Sequence, residues 1–362
     1  MRHFRLPFPL PCLVLAATLQ AGCDATIHEY PTAQTSQVIV ELNADRMPPD
    51  YYKELVYDKD GNHTEKLLEQ VPSAEYRISE DFDMRFIVEL YRVPTPTDDV
   101  DKGTLEARRE ISVHRLMHPP QDTLHFYVPD GLYKVLAWAD YVPCNEQNDW
   151  HFHTDALDEV RVNLNHVPEN NHQKNSGAGF TDFSVDFTRD EEGLPQAANQ
   201  TRAAKDNRLI PVYLKRPAGR FRLWATDYQE FLQNGHRAED LTVRIIYKQY
   251  VSAGYDVSMQ EPNAFIETRV METTPGRVAA DGTMLLAYDY VLTSDTQEDH
   301  VLVDIAIYDR EDGTELNHFQ NVDIPLRRNR ETVVRGPFLT REVGSGIEID
   351  DNFDGEFVVP IN

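Results

Sequence analysis

Residues 82–91 read FDMRFIVELY, and the spacing of their apolar side chains decides the fold class. Phe82, Met84, Phe86, Val88 and Leu90 fall on every second position. A period of two lays one side of a strand against a core and leaves the other for solvent. The same period extends in both directions. Upstream it appears in Val38, Val40 and Leu42; downstream it runs through Leu124, Phe126 and Val128, then Tyr133, Val135 and Ala137. It returns in Leu241, Val243, Ile245 and Tyr247 and again in Val301, Val303, Ile305 and Ile307. Asp-Gly pairs at Asp60-Gly61, Asp130-Gly131, Asp281-Gly282, Asp312-Gly313 and Asp354-Gly355 punctuate these runs with residues that accept the positive φ of tight hairpins. Strands do not alternate with long helices, so the expected class is all-β and antiparallel rather than a doubly wound parallel sheet.

Two helical segments are expected among the strands. At Asp227 to Asn234, Thr226 and Gln229 form a capping box, Tyr228, Phe231 and Leu232 share a face, and Gly235 stands at the stop. A turn or two of helix is also expected at Tyr51 to Val56.

The chain of 362 residues is long enough for two domains. With 35 basic and 61 acidic residues its net charge of −26 repels phosphate backbones, which argues against nucleic acid as a partner, and it opposes adsorption on anionic lipid. A membrane association therefore needs an inserted or covalent anchor. The first residues, MRHFRLPFPLPCLVLAATLQAGC, supply one: Arg2 and Arg5 precede an apolar stretch, and Ala21-Gly22 precede Cys23. This is a signal peptide over residues 1–22 ending at a lipobox-like site, with Gln20 where an aliphatic residue is usual, and it makes Cys23 the lipidation site. The plainer reading is a secretory peptide cut near Ala21 or Gly22 that leaves Cys23 a free thiol. Loss of Arg2 and Arg5, with no acid in residues 1–22, takes the charge from −26 to −28. Cys12 leaves with the signal, so Cys144 has no intrachain partner and the fold rests on its core.

A polar tether occupies residues 23–35. Two further polar stretches interrupt the strands: Asn163 to Ser176, and Arg189 to Arg208, which has no apolar period and reads as a linker. The expected division is an N-terminal β-sandwich at 36–205 and a C-terminal β-sandwich at 206–362.

Six segments together carry a family resemblance. They are the tether from Cys23-Asp24 through Ile27-His28-Glu29-Tyr30-Pro31, FDMRFIVELY at 82–91, VPDGLYKVLAWADYV at 128–142, LKRPAGRFRLWATD at 214–227, PLRRNRETVVRGPFLT at 325–340 and IEIDDNFDGEF at 347–357. In order and spacing they resemble the lipoprotein fimbrial subunits of Bacteroidales, in particular the anchor or minor subunits related to the fimbrillins. The resemblance implies a tandem of two transthyretin-like β-sandwiches, a lipid anchor in the outer membrane facing the cell surface, other fimbrial subunits as partners, and no cofactor. It leaves room for a host or bacterial surface receptor. It also implies two processing and assembly features. Arg46, in the loop after the first strand, is the candidate site at which stalk subunits are cleaved and anchors are not. The alternating end of the chain, Phe357, Val359 and Ile361, is the candidate strand donated to a neighbouring subunit. From the residues themselves that strand can equally close its own sheet, and Pro360 confines it to an edge or to the end of pairing.

Other constellations have residue types that could carry chemistry. Asp350, Asn352, Asp354 and Gly355 fit the first half of a calcium loop, but Ile361 stands where a bidentate acid is required; Asp58, Asp60, Asn62 and Glu69 have His63 at the glycine position. His151 and His153 would share one side of a strand near Asp149 and Asp155 without a third histidine or cysteine, so no metal site is expected. Lys215, Arg216, Arg220 and Arg222 alternate with Leu214, Phe221 and Leu223, which reads as an outward cationic face, with an acidic partner as the alternative. No HExxH, GxSxG, P-loop or dinucleotide fingerprint occurs, and an enzyme is not expected. The alternative to a fimbrial subunit is a surface glycan-binding lipoprotein or tip adhesin, for which Trp150 in a polar loop is the exposed aromatic, with Trp138 and Trp224 assigned to the core.

Overall fold

The computed structural model describes residues 35–45, 47–73, 78–113, 122–144, 148–165, 171–185 and 208–340. Nearly all regular structure in these residues is β, arranged as two sandwiches in tandem with a smaller sheet bridging them. In the first sandwich a three-stranded sheet, ordered Arg208–Leu214, Ser36–Ala44, Asp122–Val128, packs on a four-stranded sheet ordered Gly177–Val185, Gly131–Pro143, Phe82–Val93, Thr104–Val113. The alternating residues build its core: Val38, Val40, Leu42, Phe86, Val88, Leu90, Phe126, Val135 and Ala137 are all buried there.

The second sandwich sets a five-stranded sheet (Met284–Leu292, Ala218–Ala225, Arg330–Gly336, Asp50–Tyr57, His63–Leu67) against a four-stranded one (Arg269–Thr273, Leu241–Tyr247, Asp299–Asp309, Glu315–Leu326). Val243, Ile245, Tyr247, Val303, Ile305 and Ile307 lie at its centre. The bridging sheet joins Phe152–His153 and Val160–Val162 to Val251–Asp256 and Glu261–Ile266. A third apolar cluster fills the space between the sandwiches. Ile87, Leu136 and Trp138 enter it from the first, Trp224, Tyr288 and Val333 from the second, and Phe152, Leu157 and Tyr255 from the bridging elements.

Three departures from expectation have physical causes. Pairing is mostly antiparallel, but Ser36–Ala44 with Arg208–Leu214, and Arg330–Gly336 with both Ala218–Ala225 and Asp50–Tyr57, are parallel, which is possible because long connections and not tight hairpins join them. Tyr51 to Val56 is strand, not helix. A register shift between Tyr51 and Glu54 puts Tyr52 and Leu55 on the same side, and a bulge thereby imitates the three-residue spacing of a helix. Strand membership also crosses the division expected at 205/206: Arg208–Leu214 completes the first sandwich, and Asp50–Leu67 leaves the first half to join the second. The chain thus passes from one sandwich to the other between Ala44 and Asp50 and returns before Phe82.

The expected helix occurs at Tyr228–Gln233, with Gly235 at φ 87° past its end. Its N-cap is Asp227, yet the carboxylate does not cap; it turns to accept from the backbone N–H groups of Leu339 and Thr340 at 2.9 and 2.7 Å.

The first sandwich closes along one side where Gly177–Val185 meets the end of Arg208–Leu214. Ala178 N–H donates to the Lys215 carbonyl at 2.8 Å and Lys215 N–H to the Ala178 carbonyl at 3.0 Å. This approach requires Gly179, since a Cβ there would run into the Tyr213 carbonyl well inside contact distance. Gly179→Ala is expected to lower stability by about 1–3 kcal/mol, as overpacking does. Urea denaturation checks this, and an unchanged midpoint would mean that the strands are not so close.

Candidate functional site

Two features of the fold concentrate side chains whose placement needs more than core packing: the first strand with its crossover, and the layer between the sandwiches. Ser36–Ala44 is the central strand of its sheet, paired in parallel with Arg208–Leu214 on one side and antiparallel with Asp122–Val128 on the other. Val38, Val40 and Leu42 are fully buried. Residues on either side of position 46 are tied to the body. Asp45 N–H donates to the Leu214 carbonyl at 3.1 Å, and the Met47 carbonyl accepts from Arg216 Nη2 at 2.8 Å.

The layer between the sandwiches is charged as well as apolar. On the back of the first sandwich, the positions alternating with the core residues of Phe82–Val93 do not reach water: Arg85 and Glu89 are 2% and 1% exposed. Arg85 grips Asp140 through two N–H groups at 2.9 and 2.7 Å and lies 2.9 Å from Asp149. Glu89 accepts from Arg108 at 2.5 Å, from the Tyr91 hydroxyl at 3.0 Å and from the Leu157 N–H at 3.0 Å. These bonds hold the excursion that carries the bridging strands.

On the back of the second sandwich the cationic cluster read from the sequence turns inward. Lys215 is exposed, but Arg216, Arg220 and Arg222 are 1%, 0% and 5% exposed, so the outward cationic face is corrected to a buried one. Partners for these charges lie across the strands. Glu331, directly beside Arg220 in the parallel pairing, is ion-paired with both Arg220 and Arg222. Arg220 also donates to the Tyr290 hydroxyl at 3.1 Å and to Ser73 at 2.5 Å, and Arg216 bonds the side chains of Asn175 and Asn329. Breaking such a pair on one side leaves an uncompensated buried charge, which costs about 3–5 kcal/mol.

Another anion of the layer, Asp289, joins the two halves of the chain. It accepts from Lys174 Nζ at 2.6 Å, the Tyr247 hydroxyl at 2.8 Å and the Tyr290 N–H at 2.8 Å, with Arg269 Nη2 3.0 Å away. Burial works to raise its pKa, but Arg269 and Lys174 outweigh burial and hold the carboxyl below its ordinary value. Lys174 belongs to the polar stretch 163–176. In the structure the segment from Gln173 to Ser176 is buried as a polar plug between the sandwiches, so polarity there signals pairing instead of solvent. Beside it a cavity of about 30 Å³ is lined by His151, Lys174, Ser252, Arg269, Tyr290 and apolar neighbours including Phe152 and Leu292.

The other residues singled out from the sequence are scattered. His151 is buried with its ring stacked 6.3 Å from that of Phe82, whereas His153 is half-exposed and 3.8 Å from Asp149. Among the described residues no three His, Cys, Asp or Glu side chains converge as metal ligands. Asp58 accepts from the backbone N–H groups of Asp60 and Asn62, both at 2.9 Å, and so serves the hairpin turn. Trp138 and Trp224 are buried and Trp150 is half-buried against Phe82. Tyr127 and Tyr213, 64% and 66% exposed on the outer face of the first strand's sheet, were not singled out because alternation marks them only as non-core positions. Cys23, Arg46, Phe357, Val359 and Ile361 lie outside the described residues, as do Asp350 to Gly355.

His172 reports on the charged layer. Its ring stacks on Tyr288 at 4.6 Å and its Nδ1 is 3.0 Å from the Tyr290 hydroxyl. Burial, then the charges of Arg220, Arg222 and Arg216, push its pKa down from 6.5 to about 3. Between those values the unfolded chain takes up a proton that the folded chain refuses, so stability falls as pH falls. Urea melts at pH 7 and pH 5 are expected to show a drop about 2 kcal/mol smaller in His172→Gln than in the unaltered protein. Equal drops would show that His172 titrates normally in the fold.

Among curated proteins none matches this sequence. Proteins of known structure that it is similar to include a DUF1812 protein from Bacteroides thetaiotaomicron (9% identity, 79% of this chain and 80% of that one, TM-score 0.41). Others are the fimbrial anchor protein Mfa2 from Porphyromonas gingivalis (11%, 78% and 81%, 0.36) and a fimbrial assembly protein from Parabacteroides distasonis (10%, 83% and 90%, 0.35). The model of one sequence family, described as a family of unknown function (DUF6562), matches residues 56–362. With most of its length so matched, the chain belongs to the DUF6562 family.

Proposed function

We propose that this protein is a structural subunit of a bacterial surface fimbria, held in the outer membrane by lipid on Cys23 and serving as the base of the fibre. The observation that carries this reading is the position of the first strand. A lipid on Cys23 would be joined through a short tether to Ser36–Ala44, which is hydrogen-bonded on both sides with its apolar residues fully buried. Load applied to the lipid would meet a whole sheet. A protease acting at Arg46 must draw several flanking residues into its cleft, and Asp45 and Met47 are both tied by hydrogen bonds. That restraint supports retention of the first strand, as in an anchor.

Cys23→Ser should leave both sandwiches folded and release the protein from washed membranes, because acyl chains contribute about 0.8 kcal/mol per buried methylene. Among the described residues no helix is long and apolar enough to cross a membrane in their place. Mass spectrometry of the native protein should find a lipidated N-terminal peptide; a mature N-terminus at Met47 would reassign the subunit to the stalk.

Strand complementation at the other end of the chain completes the reading, with Phe357, Val359 and Ile361 inserted into the sheet of the adjoining subunit. Truncation after Gly355 should leave the melting temperature of the isolated protein nearly unchanged while fibres are shed into the medium. A large fall in melting temperature would return the segment to its own domain.

A further inference from the structure

We propose that the cavity between the sandwiches binds a small monovalent anion, a halide or the carboxylate of a small acid, which joins the two halves of the chain. Its lining comes from both: His151, Phe152 and Lys174 on one side, Ser252, Arg269 and Tyr290 on the other. The charged groups that line it are both cations, Lys174 and Arg269. The carboxylate that pairs them, Asp289, is 1% exposed and does not line the cavity; it is engaged by Lys174, Arg269, the Tyr247 hydroxyl and the Tyr290 N–H. The Arg269 side chain is 9% exposed, and its buried Nε meets no acceptor among the described residues. Two cations that line one small space repel each other, and an anion placed between them offsets that repulsion.

The surrounding charge points the same way. On the second sandwich's side of this layer Lys174, Arg216, Arg220, Arg222, Arg269 and Arg328 have buried side chains, and the carboxylates paired with them are Asp289 and Glu331, with the exposed Asp295 3.6 Å from Arg328. A local surplus of positive charge is thus enclosed in a chain whose net charge is −26. Size sets the class of ligand. By the measure in which one water requires roughly 10–15 Å³, a space of about 30 Å³ admits a halide or a carboxylate head but not a sugar ring or a nucleotide.

An anion held by both halves and released on unfolding raises the melting temperature in proportion to the logarithm of its concentration. The test is thermal unfolding of the full chain at fixed ionic strength, with sodium bromide or sodium acetate replacing sodium gluconate, whose anion is too large to enter. Melting temperature should climb steadily with one or both small anions, and the salt that is effective identifies halide or carboxylate. Arg269→Gln, which leaves Lys174 to pair Asp289, should flatten the dependence. Should that variant fold poorly, Val162→Phe fills the cavity from the bridging sheet without removing a charge and should flatten it equally. Crystals grown in bromide should show anomalous scattering beside Lys174 and Arg269. A dependence no steeper than in gluconate, or one that Val162→Phe retains, or bromide found at surface positions only, would each overturn the proposal.

Discussion

Asp289 takes its cations from both halves of the chain, Lys174 from the first and Arg269 from the second, and the joint between the sandwiches is organised around that carboxylate. Burying a carboxylate without partners costs several kcal/mol, so the surrounding elements must arrive in register to supply them. The polar plug at 173–176, the strand Arg269–Thr273 and the hydroxyl of Tyr247 meet at one point. Glu331 imposes the same condition on Arg220 and Arg222 one strand away. Apolar contacts between Trp138, Tyr255 and Trp224 supply area without fixing an angle, whereas hydrogen-bonded charges permit few orientations.

Alternation in the sequence located both sandwich cores, because a strand with one apolar side reveals its period however far away its partners lie. It could not reveal what covers the other side. Arg85 and Glu89 in FDMRFIVELY, and Arg220 and Arg222 in AGRFRLWA, occupy positions that water normally takes, and pairing across strands makes them fit for burial. The partners are remote: Lys174 and Asp289 are separated by 115 positions and Arg222 and Glu331 by 109. No local pattern announces such pairs. The strand Asp50–Tyr57 was hidden differently, since a bulge spaced its buried residues as a helix would.

Of the candidate functional features, the first strand was legible as a strand but not as the centre of a sheet. Its parallel partner, Arg208–Leu214, follows a long polar stretch and reads equally well as the opening of the second domain. Only pairing decides that it closes the first sandwich. The cavity left no trace in the sequence, because its lining comes from separate segments, none of which carries a motif.

The passage of the chain between sandwiches near Ala44 and Asp50 has a consequence for the order of events in folding. Asp50–Tyr57 finds its sheet only when Arg330–Gly336 exists, and the ion pair between them, Glu54 with Arg335, spans 281 positions. The strand Ser36–Ala44 likewise waits for Arg208–Leu214. A chain delivered from its N-terminus therefore cannot finish either sandwich early. One edge of each early strand stays open until its distant partner emerges, a high contact order that slows folding and exposes strand edges to aggregation. Synthesis of the first strands and completion of their sheets are therefore separated in time, and over that interval open strand edges are the part of the chain most in need of protection.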